Sequence, residues 1–176
     1  GLFSALVGVI VGLPALRVKG IYLGMATLAF GFIVEEGMAR WESVTGGNAG
    51  LMVGYPAIGS WTLDSTESFY FLCLIVAVGA TLAIVNLLRS STGRAFVAIR
   101  DRDLAAEIMG ISLFRYKLTA FAVSSFYAGV AGALWVSFIR IVTPEHFPFH
   151  LSIQYLAMVI VGGMGSYPGA ILAALL

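Results

Sequence analysis

Two uninterrupted apolar runs, Phe69 to Leu88 and Leu118 to Ile139, constrain this chain more than any other feature of its sequence. A helix crosses roughly 30 Å of hydrocarbon in about 20 residues, and hydrocarbon offers a backbone amide no partner outside the helix. Both runs are therefore predicted to be membrane-spanning helices in spite of their Val, Ile and Gly content. Composition agrees, with 60% of the 176 residues hydrophobic and 11% charged. Soluble domains carry roughly 45–50% and about 25%.

The remaining apolar stretches extend the pattern. Residues 1–16 and 20–37 read as further spans, and 151–176 as another, interrupted at 162–169 by Gly162, Gly163, Gly165, Ser166, Pro168 and Gly169. The chain starts and stops inside apolar stretches, so both ends read as cut. The expected fold is an all-α, polytopic transmembrane helical bundle with a broken helix near the C-terminus. Glycines at membrane depth have two readings. They let helices pack closely, or they break a helix where backbone lines a solute path. Ser124 and Ser125, ahead of Gly129 and Gly132, either serve helix packing or contact a solute in transit, and the turn around Gly46 and Gly47 is either a plain solvent-exposed turn or one that approaches a solute or a neighbouring helix.

Charge in the loops orients the spans. Residues 89–117 hold six bases (Arg89, Arg94, Arg100, Arg102, Arg115, Lys117) against three acids (Asp101, Asp103, Glu107), which places this loop in the cytoplasm. The preceding loop, Glu35 to Ser68, has five acids and one base, Arg40, and is expected outside. Arg17 and Lys19 then fall inside, and Arg140 to His150 forms a second outer loop.

Within the cytoplasmic loop, Arg94 to Ile111 is predicted to be a short amphipathic helix. Leu104, Ile108 and Ile111 share a stripe at helical spacing, with Ala105 and Met109 beside it and Gly110 as terminator. Such a helix either rests on the membrane surface or docks against a partner.

Several activities are excluded by what the sequence lacks. There is no phosphate-binding G-x-x-x-x-G-K-[ST] loop, so this chain is not an ATPase. Neither apolar run contains the acid or histidine that ion coupling usually leaves within a span. A net charge of +1 gives no footprint for nucleic acid. Cys73 is the single cysteine, and His146 and His150 are separated by Pro148 without a near third ligand, so no metal site is expected. No catalytic constellation is present.

Several motifs resemble a known family. Asp103, Ala105, Ala106 and Gly110 are similar to the E-A-A-x-x-x-G loop of ABC importer permeases, with Asp in place of Glu. Gly93-Arg94-Ala95, Ala98-Ile99-Arg100-Asp101 and Ala105 to Ile111 resemble branched-chain amino acid permeases of the LivM type. So do Lys19 to Leu23, Thr27 to Gly31, Thr45 to Leu51, Lys117 to Phe121, Ala128 to Leu134 and Val161 to Ser166, in that order.

The resemblance implies one transmembrane permease domain over 1–176, in the bacterial inner membrane and in contact with its lipid. It implies a sister permease, cytoplasmic ATPase subunits that bind ATP–Mg, an external solute-binding protein and a branched-chain amino acid substrate. This chain itself is expected to bind no cofactor. Arg94, Arg100, Asp103, Ala105, Ala106, Glu107 and Gly110 fall in the implied coupling helix. The two arginines there suit acids on a partner or follow from inward positive bias alone. Thr27, Gly31, Gly46, Gly47, Ser124, Ser125, Gly162 and Gly163 are the candidates for the translocation path. Related permeases carrying ribose or urea, and an ion-coupled carrier, are the alternatives.

Overall fold

The computed structural model describes residues 1–16, 21–41, 50–52, 57–58, 61–62, 66–143, 149–163 and 165–175, and most of these are helical. The helices are α1 (Leu2–Ala15), α2 (Ile21–Arg40), α3 (Thr66–Arg89), α4 (Ser91–Asp101), α5 (Asp103–Ile108), α6 (Leu113–Ile139), α7 (Phe149–Gly162) and α8 (Tyr167–Leu175). Strands β1 (Leu51–Met52) and β4 (Ile141–Val142) pair antiparallel, as do β2 (Ala57–Ile58) and β3 (Trp61–Thr62).

Among the described residues, Glu67–Arg89 and Leu113–Ile139 are the helical segments long and apolar enough to cross a membrane, with peak mean hydropathies of 2.6 and 1.6. They contain both runs singled out above. Helix α6 starts at Leu113, ahead of Leu118, and so takes in Arg115 and Lys117 in its first turns. Tyr70, Phe71, Leu74, Ile75, Val78 and Leu82 of α3 are exposed. A helix this apolar on its open face is stable in hydrocarbon or beneath other helices, not in water.

The chain forms two compact units. The first comprises Gly1–Leu23 and Val53–Arg140. Its tightest seam joins α1 to α6 in antiparallel register. Gly8 and Gly12 are buried there, and a Cβ on Gly8 would overlap Ser125 Oγ. A Cβ on Gly12 would lie 3.2 Å from Leu118 Cδ1 and Phe121 Cβ, and one on Gly129 would overlap Ser4 Oγ. Small residues let the two backbones approach, which is how helices gain dispersion energy where lipid removes the hydrophobic driving force.

Helix α3 meets α6 more lightly. The Tyr127 hydroxyl donates to the Ala80 carbonyl at 3.1 Å, and the Phe69 and Phe138 rings stack with centroids 6.1 Å apart. Replacing Tyr127 with Phe is expected to lower stability by about 0.6 kcal/mol, the usual worth of such a bond between membrane helices. Denaturant unfolding in mixed micelles measures it.

The second unit comprises Gly24–Met52 and Ile141–Leu176. It contains all but the first turn of α2, whose end is closed by an ion pair from Arg40 Nε to Glu36 Oε1. The β1–β4 ribbon sets Leu51 opposite Val142. Helices α7 and α8 are separated by a break in which Gly163 and Gly165 adopt φ of 88° and 93°. The Ser166 hydroxyl caps α8 by accepting from the Gly169 amide at 3.2 Å. A Cβ on Gly162 would come within 2.5 Å of the Gly169 carbonyl oxygen, so the two helices close on each other at glycine.

Candidate functional site

The segment between α3 and α6 concentrates the charged residues of the first unit, and its path is set by three backbone turns. Ser90 makes the first, its hydroxyl donating to the Leu87 carbonyl at 2.6 Å and accepting from the Gly93 amide at 3.4 Å. Gly93 is buried, and any Cβ there would strike the Leu88 backbone. Arg94 Nη1 donates to the Arg89 carbonyl at 3.3 Å, a cation placed at the negative end of α3. Phe96 packs edge-on to Tyr116 of α6 at 6.1 Å, and Ala95 is buried.

The second turn is at Arg102, where φ is −154° and ψ is 97°. The single helix expected over Arg94 to Ile111 is therefore two, α4 and α5. Arg100 in the last turn of α4 and Asp103 in the first turn of α5 suit the dipole ends they occupy, while Asp101, the last residue of α4, opposes its own. Arg100 Nε also lies 3.5 Å from Asp101 Oδ1.

Gly110 makes the third turn, with φ of 83°. Its amide donates to the Glu107 carbonyl at 2.9 Å and the Ile111 amide to the Ala106 carbonyl at 3.0 Å. This is a Schellman ending, which requires a left-handed residue where glycine fits without strain. Gly110 thus terminates the helix, as its position in the sequence suggests.

Between these turns α5 is six residues long and seats a single side chain. Ala106 is 2% exposed, whereas Leu104, Ile108 and Met109 are 75%, 88% and 82% exposed. The apolar stripe predicted from helical spacing therefore faces outward. Ala105 and Glu107 are exposed as well. Lys117 Nζ of α6 lies 3.7 Å from Asp103 Oδ2, an ion pair that joins α5 to the base of α6.

The described path candidates lie on α6 in the first unit, and on α2 and at the α7–α8 break in the second. Ser124 donates to the Phe121 carbonyl at 3.0 Å within α6, while Ser125 sits over Gly8 in the α1–α6 seam. Thr27 donates to the Gly24 carbonyl at 2.9 Å in α2, and a Cβ on Gly31 would meet open space. Gly162 and Gly163 form the α7–α8 break. Gly46, Gly47, Arg17, Lys19 and His146 lie outside the described residues.

One cavity of about 490 Å³ opens between α3 and α6, lined by Phe69, Cys73 and Ala77 on one side and Ala131, Trp135 and Phe138 on the other. Its walls are almost wholly apolar, so it offers no partner for a charged solute.

The family model described as "Branched-chain amino acid transport system / permease component" matches residues 1–176. The chain belongs to this permease family. The LivM high-affinity branched-chain amino acid transport system permease proteins of Salmonella typhimurium and Escherichia coli K12 are each 36% identical over 200 aligned positions, covering all of this chain and 47% of the relative. LivH of Salmonella typhimurium is 27% identical over 147 positions, 79% of this chain and 47% of that protein. The chain spans about half the length of these curated relatives. No solved structure matches it.

Sequence reasoning missed two features of this permease. Lys117 was read as an inward base and as the start of a family motif, since nothing in linear spacing pairs it with Asp103. The Gly8 and Gly12 seam was legible as a G-x-x-x-G spacing inside an apolar run.

Proposed function

We propose that this chain is the membrane-spanning permease portion of an ABC importer that moves branched-chain amino acids across the bacterial inner membrane. Residues 1–176 act as one permease domain that crosses the membrane several times, with 89–117 on the cytoplasmic side. A sister permease completes the pathway. Separate ATPase subunits bind ATP–Mg and supply the energy, and an external binding protein delivers the solute.

The observation that carries this reading is α5. A six-residue helix bounded by turns at Arg102 and Gly110, seated by Ala106 and presenting exposed Leu104, Ile108 and Met109, is shaped to fill a groove on a partner. Exposed large apolar side chains on a charged loop are stable when a docking surface covers them. Membership of the permease family supplies the partner class.

The test replaces Leu104 and Ile108 together with Asp in the complete transporter. Two buried apolar anchors at an interface are worth about 2 kcal/mol or more each, so ATPase recovery on affinity-tagged permease is expected to fall at least tenfold, with leucine uptake lost in parallel. Normal ATPase recovery by the double variant overturns the assignment of α5. ATP-independent leucine uptake by the unaltered protein favours a self-sufficient carrier.

A further inference from the structure

Helix α5 has little of its own to hold its direction. It is six residues long, too short to be stable without tertiary support. Its ends are the extended residue Arg102 and the left-handed residue Gly110, and Ala106 is its one buried side chain. A methyl group in a socket fixes position but not rotation, so a helix anchored there alone is free to pivot about its two end turns.

Asp103 and Lys117 remove that freedom. Asp103 is the first residue of α5, and Lys117 stands in the second turn of α6. Their charged atoms are 3.7 Å apart. The pair Arg40–Glu36 lies within one helix and Arg100–Asp101 joins sequence neighbours, whereas Lys117–Asp103 spans two helices across a turn. The ion pair at Asp103 ties the start of α5 directly to α6, in addition to the buried Ala106.

We propose that Lys117 is a positioning residue that latches α5 to α6 through Asp103, so that displacement of α5 by a docked partner is passed to the membrane helix instead of being absorbed at Arg102 and Gly110. This deepens the coupling role proposed for α5 and rests on it. In the uncovered loop, Lys117 and Asp103 are 38% and 55% exposed, and water weakens their attraction. A partner docked over α5 that covers the pair raises its Coulomb attraction and at the same time desolvates both charges.

Two measurements test it on the complete transporter. In proteoliposomes, Lys117→Met keeps the aliphatic stem and removes the charge. It is expected to retain ATPase capture and ATP hydrolysis while leucine transported per ATP falls about 3- to 10-fold, the range in which residues along a coupling route act. Lys117→Arg is expected to keep the wild-type ratio. A wild-type ratio in Lys117→Met, or equal loss in Lys117→Met and Lys117→Arg, overturns the proposal.

The second measurement is amide hydrogen exchange of the permease in lipid nanodiscs without ATPase, which reads the latch even if the coupling role of α5 is wrong. Exchange across 103–110 is expected to accelerate about threefold or more in Lys117→Met and not in Lys117→Arg, as local opening energies set exchange. Equal exchange in wild type and Lys117→Met overturns it.

Discussion

Gly110→Asp is expected to abolish leucine uptake and ATPase capture while the permease reaches the membrane at its normal level. The left-handed conformation at Gly110, φ 83°, costs a residue with a Cβ roughly 1 kcal/mol. A carboxylate there also faces the negative end of α5, a further 0.3–1 kcal/mol or so. The sum, about 1.5–2 kcal/mol, shifts a local equilibrium by tenfold or more, and a six-residue helix has no reserve against it.

Space is not the issue, since nothing lies within 4 Å of a Cβ at this position. Gly110→Asn therefore relieves both contributions. Asparagine tolerates the left-handed region and carries no charge, so it is expected to retain a substantial fraction of uptake. Uptake assays in whole cells, with membrane levels checked by immunoblot, decide the matter. Full activity in Gly110→Asp would sink the argument that the ending of α5 matters for coupling.

The second large effect is expected at the α1–α6 seam. Gly8→Ala drives a methyl group into Ser125, and the antiparallel helices must separate or tilt. Overpacking of this kind costs about 1–3 kcal/mol, and the loss of close backbone approach adds to it. Ser125→Gly removes the atoms that Gly8→Ala strikes, leaving the Phe121 carbonyl oxygen as a tight contact at 3.2 Å that a shift of a few tenths of an ångström relieves.

The double variant is therefore expected to recover most of the loss, a coupling that additive helix-propensity effects do not produce. Gly129→Ala with Ser4→Gly repeats the test one step along the same seam. Thermal unfolding in detergent reads both pairs. If Gly8→Ala unfolds at the wild-type temperature, the seam is not as close as described.

The sequence by itself determined the solvent and the main elements. The runs at Phe69 to Leu88 and Leu118 to Ile139 admit no other structure in hydrocarbon, because their backbone amides have only each other. Gly110 was legible as a helix end for a local reason, its freedom at positive φ. The permease motifs from Arg94 to Ile111 were legible in order, and they led to the family that the whole chain matches.

Only the tertiary structure decided which faces meet. Lipid and protein interiors are equally apolar, so hydropathy along α1 and α6 says nothing of which side is covered, and packing geometry at Gly8, Gly12, Ser125 and Gly129 chooses. The stripe of Leu104, Ile108 and Ile111 was legible in the sequence, whereas the seating of Ala106 decided that its first two members stand open on α5. The break at Arg102 and the meeting of Lys117 with Asp103, fourteen residues away across the turn at Gly110, leave no periodic trace in the sequence.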